Sequence, residues 1–215
     1  MKTLSLVLLS IVALQLAGCA TTTNSSVSGV QRKQFLMLSE KQVENMSVQA
    51  YTQSLQEATK NKKLNTNATE VQRVRNISNK LIAQTPVFRP DAKNWKWEVN
   101  VEESDQVNAY CMPGGKIMVY TGLIDKLKTT DDELAAVIGH EISHALREHG
   151  RERMSIAAVQ QVGLVGLAAL ASASKSPNAA AAGVQAAAQS RGRTGRATHA
   201  LIVIIRWTSH FHSNP

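Results

Sequence analysis

The chain has 215 residues and a mass of 23.3 kDa, the size of one medium domain with appendages. Hydrophobic residues make up 43% and charged residues 19%, which excludes a disordered composition. There is no Gly period and no sustained heptad, and two Cys cannot build a disulfide framework. The formal charge of +8 is unevenly spread: all 16 acids lie between Glu40 and Glu152, and residues 153–215 carry six Lys or Arg and no acid. That excess is a tail without acids, not a basic stripe with interleaved aromatics, so no nucleic-acid partner is expected.

Met1-Lys2-Thr3 gives a short positive start, and Leu4 to Leu16 is an apolar run too short to span a bilayer. It ends in Leu16-Ala17-Gly18-Cys19, which resembles the bacterial lipobox. That resemblance implies cleavage before Cys19, lipidation of its thiol and stable membrane anchoring by several acyl chains. An ordinary signal peptide with a chance Cys is the alternative. Ala20 stands where an Asp usually retains such lipoproteins at the inner membrane, so the outer membrane is expected, with the domain facing the periplasm. Residues 1–18 are then the lipoprotein signal peptide and 19–32 the lipidated Cys and a tether, rich in Ser and Thr from Thr21 to Gly29. Cys111 is left as the remaining thiol, either a small buried hydrophobe in a strand or a reactive site.

The spacing of Val43, Met46, Ala50 and Leu55 predicts a helix over Ser39 to Lys60. Asn61 to Asn67 breaks it, and Thr69 to Gln84 is a second helix ended by Thr85-Pro86 and Arg89-Pro90. Trp95 to Val101 alternates as a half-buried strand. Val107 to Met112 and Lys116 to Tyr120 are two further strands joined by the turn Pro113-Gly114-Gly115. Leu123 to Leu127 is a short helical piece. Thr130-Asp131-Asp132-Glu133 has the form of a capping box, with Leu134, Ile138, Ile142 and Ala145 along one face of the helix it opens. Gly150 is expected to stop that helix. Arg153 to Gln189 is Ala-rich and reads as a helical hairpin with a turn at Ser176-Pro177-Asn178, or alternatively as a membrane hairpin, although Gln160, Gln161 and Gln185 interrupt its arms. The expected class is α+β: a mainly helical domain with a small β-sheet.

His140-Glu141-Ile142-Ser143-His144 is H-E-x-x-H inside the capped helix. Residues four apart are one turn apart on nearly one face, so two imidazoles can grip one ion. Zinc suits neutral nitrogen ligands. It lowers the pKa of a bound water to about 7. Glu141 stands where it can take that water's proton and pass it to the leaving nitrogen of a peptide bond. One Zn2+, held by His140 and His144 with Glu141 as the catalytic group, is the expectation; two solvated His on a surface helix is the alternative.

From about Lys33 to Arg153 the sequence resembles the periplasmic lipoprotein zinc metalloproteases of the HtpX, BepA and LoiP type, gluzincins related to the prenyl-protein proteases. The residues that carry the resemblance are Asn108 to Lys116, Tyr120-Thr121-Gly122-Leu123-Ile124, Thr130 to Gly139 running into the zinc motif, and Arg147 to Arg153. It implies a zinc endopeptidase acting in envelope protein quality control, with unfolded or misassembled envelope proteins as substrates. It also implies that Asn108, Ala109, Tyr110, Cys111 and Met112 form an edge strand beside the cleft, where an extended substrate could pair. An ordinary hairpin strand is equally compatible with those residues.

In that family the third zinc ligand is a Glu on a later helix, and no acid follows Glu152 here. On a helix continuous to Gly150, His149 lies about 180° round from His140 and points away, and Glu148 rises about 12 Å from it. The tail holds His199, His210 and His212. Residues 33–189 are therefore read as an incomplete metalloprotease domain, and 190–215 as an atypical basic tail. The tail is read either as out of frame from near Gln189 or as unrelated sequence following a truncated gene, with a divergent natural terminus or a substitute zinc site built from His210 and His212 as alternatives. A catalytically impaired, lipid-anchored binding relative and a structural lipoprotein with an incidental H-E-x-x-H are the competing functions.

Overall fold

The computed structural model describes residues 19–24, 29 and 32–173, and the side chains of 21–24, 29 and 32–163. The signal-peptide reading of 1–18, the turn and second arm of the proposed hairpin, and the tail reading of 190–215 lie outside the described residues.

Helix α1, Glu40–Lys60, starts at a reciprocal capping box: the amide of Gln42 donates to Ser39 Oγ at 3.2 Å, and the amide of Ser39 donates to Gln42 Oε1 at 2.9 Å. Its buried stripe is Val43, Ser47, Tyr51 and Ala58. Helix α2, Ala68–Ile82, is capped by Asn67, whose Oδ1 accepts from the amides of Thr69 and Glu70. It buries Val71, Val74 and Ile77. After it come the single turn α3, Thr85–Phe88, and a 3-10 turn over Pro90–Asn94. Each begins with a proline in its first turn, where the missing amide costs nothing.

A two-residue strand β1, Cys19–Ala20, pairs antiparallel with β2, Gln34–Phe35. The described part of the segment read as a tether is thus bonded to the domain. The amide of Asn24 also donates to the Phe88 carbonyl at 2.8 Å. The main sheet has three strands, β3 Glu98–Glu102, β4 Ala109–Met112 and β5 Lys116–Tyr120, in the order β3-β5-β4. β5 runs parallel to β3 and antiparallel to β4. The strand expected from Trp95 begins only at Glu98, because the two indoles are used in packing ahead of it. Their centroids lie 5.3 Å apart, and Trp97 Nε1 donates to the Ala92 carbonyl at 2.9 Å.

Period-two alternation divides the core into two layers. Val99, Val101, Ala109, Ile117 and Val119 face α2 and the site helix α5, Asp131–Leu146, which presents Leu134, Ile138, Ile142 and Leu146. Tyr110, Met112, Met118 and Tyr120 face α1 and gather round Tyr51. Burying each large aliphatic side chain is worth about 1.5–3 kcal/mol. A short helix α4, Thr121–Asp125, links β5 to α5. The class is α+β and mainly helical, as expected. Among the described residues no helix is long and apolar enough to cross a membrane.

The chain does not continue as one helix to Gly150. α5 ends at Leu146, Glu148 adopts a left-handed φ of 51°, and a new helix α6, His149–Ala173, starts with Gly150 inside it. The stop is made by buried charge and not by glycine. Glu148 is 4% exposed and Arg89 is 6% exposed. Arg89 Nη1 lies 3.1 Å from Glu148 Oε1 and donates to the Leu146 carbonyl, at the negative end of α5. The same guanidinium reaches Glu40 at 2.7 Å and Asp91 at 3.0 Å, and stacks over Trp95 at 5.1 Å. Arg151 holds the other Glu148 oxygen at 2.8 Å.

Two substitutions test this account. Arg89→Met leaves the Glu148 carboxylate buried with one of its two ion-pair partners removed and is expected to lower stability by about 3 kcal/mol, read from the urea midpoint. Gly115 has φ +81°, and a Cβ there would lie 2.7 Å from the Trp97 indole. Gly115→Ala is therefore expected to destabilise by about 1–3 kcal/mol and to shift the tryptophan fluorescence.

Candidate metal centre

The site helix is fixed at both ends. At its start the Glu133 amide donates to Thr130 Oγ1 at 3.3 Å and the Thr130 amide to Glu133 Oε2 at 2.8 Å, the expected capping box. These bonds hold the Glu133 carboxyl below its usual range. At its end stands the Arg89–Glu148 corner. Between them Leu134, Ile138, Ile142 and Ala145 are all buried, which fixes the rotation of α5 about its axis.

That rotation leaves His140 exposed, His144 half-buried and Glu141 only 8% exposed. His140 Nε2 and His144 Nε2 are 2.9 Å apart. Two nitrogens bound tetrahedrally to one zinc at its usual bond length would be about 3.3 Å apart. The pair is therefore within a few tenths of an ångström of the separation the ion needs, and neutral imidazole is a donor zinc accepts. Burial pushes the Glu141 carboxyl up to about 7, against the pull of the Arg153 guanidinium on α6. The His144 imidazole is pushed down to about 4, first by burial and then by the charges of His140, His149, Arg153 and Arg147. A carboxyl that titrates near neutrality beside the imidazoles of His140 and His144 suits proton transfer at a metal site.

His149 does not point away. Because α5 breaks at Glu148, its ring returns to the site, and its Nδ1 lies 2.6 Å from His144 Nδ1. It meets the nitrogen of His144 opposite to the one facing His140, so it is not a third ligand for an ion between the Nε2 atoms. Among the described residues no group of three His, Cys, Asp or Glu converges to hold a metal. Glu148 is committed to Arg89 and Arg151. His199, His210 and His212 lie outside the described residues.

The segment Asn108 to Met112 ends as β4, an edge strand of the sheet, packed along α5. Asn108 is buried, and its Oδ1 accepts from the Ala109 amide. Tyr110 and Met112 turn to the α1 layer, whereas Ala109 and Cys111 face α5. Burial, with a contribution from the Glu141 charge, pushes the Cys111 thiol up. It is a half-buried packing residue and poorly nucleophilic. The sequence reading weighed His149 and Glu148 only as zinc ligands and set both aside, with His149 turned the wrong way, and it gave Arg89 and Arg153 no part in the site. The left-handed corner that recruits the first two has no local sequence signal, since a buried Glu takes the position glycine usually holds.

The profile of peptidase family M48 matches residues 68–209. The Arabidopsis thaliana mitochondrial metalloendopeptidase OMA1 is 52% identical over 56 residues, which is 26% of this chain and 11% of that protein. Metalloprotease LoiP of Escherichia coli K12 is 34% identical over 162 residues, 73% of this chain and 58% of LoiP. The beta-barrel assembly-enhancing protease of Yersinia pestis is 29% identical over 117 residues, 53% of this chain and 22% of that protein. The chain thus spans little more than half of LoiP and about a tenth of the Arabidopsis protein. No solved structure matches it. The profile match takes in both strands that flank the turn at Gly115, the whole site helix and the corner after it, and on that basis the chain belongs to peptidase family M48.

Proposed function

We propose that this chain is a zinc-dependent endopeptidase of the bacterial envelope, lipid-anchored through Cys19 at the periplasmic face of the outer membrane. The observation that carries the reading is the 2.9 Å approach of His140 Nε2 and His144 Nε2 beside a buried Glu141. His140 and His144 would hold the zinc, which would supply an acidified water and a Lewis acid for a scissile carbonyl. Glu141, its carboxyl poised near 7, is placed to accept a proton and to deliver it to the leaving amide nitrogen. The edge strand Asn108 to Met112 offers main-chain groups to an extended substrate. Unfolded or misassembled envelope proteins are the proposed substrates, a reading supported by the name of the Yersinia pestis relative. The anchor rests on Leu16-Ala17-Gly18-Cys19.

A second reading, a catalytically impaired binding relative, is favoured by the missing third ligand among the described residues. After Glu152 the sequence offers zinc only His199, His210 and His212. A reading frame shifted near Gln189 would account for the absence of acids after that codon, but not for their absence from residues 153–189. Translating the other two frames downstream of that codon should reveal a Glu-bearing continuation like the family's, and its absence from both would remove this explanation.

Metal analysis of the purified chain is expected to give one zinc per molecule, bound weakly because two imidazoles make an incomplete site. A chain that takes up no zinc, even with the proper acid restored, ends the hydrolase reading. Glu141→Gln is expected to keep the zinc and to lower casein cleavage by about 10²–10⁴-fold. Equal cleavage by both proteins would exclude Glu141 from the chemistry.

The same variant makes a pH prediction for the metal-free chain. The Glu141 carboxyl rises from 4.5 to about 7 on folding, so the folded state holds the proton longer than the unfolded state. Its contribution to stability is full below pH 4.5 and is lost as pH rises through about 7. Glu141→Gln should therefore melt higher than the parent above pH 7 and at the same temperature below pH 4.5. His144 works the other way: its folded value near 4 lies under 6.5, so its contribution is full above pH 6.5 and is lost as pH falls towards 4.

A further inference from the structure

Every imidazole that binds a metal through one nitrogen has its second nitrogen to place, and the partner of that second nitrogen fixes the tautomer and the ring orientation. His144 has both nitrogens engaged. Nε2 faces His140 Nε2 at 2.9 Å, and Nδ1 faces His149 Nδ1 at 2.6 Å. At 2.6 Å the two Nδ1 atoms are at hydrogen-bonding distance, which requires one of them to donate and the other to accept. The rings of His144 and His149 meet edge to face, 4.9 Å between centroids at 62°, so neither is stacked out of hydrogen-bonding position.

We propose that His149 is a positioning residue for the metal centre: its Nδ1 accepts the proton of His144 Nδ1, which leaves the Nε2 lone pair of His144 free on the side of His140. This rests on the metalloprotease reading but concerns a residue outside the H-E-x-x-H motif. The placement is built and not incidental. His149 is the first residue of α6, and it reaches His144 only because Glu148 takes a left-handed φ of 51°. That conformation is held by buried ion pairs to Arg89 at 3.1 Å and Arg151 at 2.8 Å. Gln34 fixes the same corner from the other side, donating to the Arg147 carbonyl at 2.7 Å. The proton on His149 must then sit on its Nε2. Glu152, buried and one turn further along α6, is a carboxylate within electrostatic reach of that ring. With the opposite tautomer His144 would carry its proton on Nε2 and could not offer that nitrogen to an ion.

The test compares the full-length chain with His149→Asn and His149→Phe. Asn places Oδ1 close to where His carries Nδ1 and can accept the same proton, whereas Phe fills the space and accepts nothing. Zinc affinity, measured by competition with a chromophoric chelator, is expected to fall about 10–100-fold in His149→Phe and to stay within a few-fold of the parent in His149→Asn. Nitrogen-15 spectra of the metal-free parent should place the His144 proton on Nδ1, with that preference lost in His149→Phe. A His144 proton found on Nε2 in the parent overturns the proposal whatever the metal data. Equal zinc affinity in all three proteins, or equal loss in Asn and Phe, overturns it as well. A parent that takes up no zinc but shows the Nδ1 proton and its loss in Phe supports the positioning contact, while the metalloprotease reading fails by itself.

Discussion

The guanidinium of Arg89 and the carboxylate of Glu148 meet inside the protein, each less than a tenth exposed, and the course of the chain through the candidate centre depends on that meeting. A left-handed backbone at a residue with a Cβ costs of order 1–3 kcal/mol and persists only where its surroundings over-determine it. Here they do. Arg89 satisfies the carboxylate, the last carbonyl of α5 and two further acids, and rests on the face of Trp95. Buried pairs of this kind give little net stability but penalise any arrangement that separates them. The pair therefore sets where one helix ends and the next begins more than it adds to the strength of the fold.

The same corner explains why the two halves of the site differed in legibility. His140, Glu141 and His144 lie within one helical segment, and their relation follows from 3.6 residues per turn once the Thr130–Glu133 box and the stripe of Leu134, Ile138, Ile142 and Ala145 are recognised. The strands Ala109–Met112 and Lys116–Tyr120 were equally open to reading, because a glycine turn separates two apolar runs. His149 was not. Its position depends on a contact between residues 89 and 148 across the fold, and helical extrapolation from His140 placed it on the wrong side. Arg89 itself was visible only as part of an Arg-Pro helix stop. Long-range charge pairing leaves no periodicity, and a Glu in left-handed backbone imitates a helix interior in sequence.

Electrostatics divides the motif by depth. His140 sits at the surface and Glu141 is covered, although they are adjacent in the chain. A 100° step around α5 separates the solvent-facing side that carries His140 from the covered side that carries Glu141. The buried position raises the affinity of Glu141 for its proton, and Arg153 on α6 limits that rise. The tuning therefore depends on both helices and on the corner joining them, so a change at Arg89 should reach the carboxylate without touching it.

What the centre lacks is consistent with what α6 leaves uncovered. Ile156, Val159 and Val162 are exposed at 40%, 42% and 71%, three residues apart along one face of a helix whose earlier residues Glu152 and Ser155 are buried. Apolar side chains at that spacing form a stripe that calls for a packing partner, and the described residues supply none. Among the described residues this stripe has no cover and the His140–His144 pair has no third donor, while the family match runs on past α6 to residue 209.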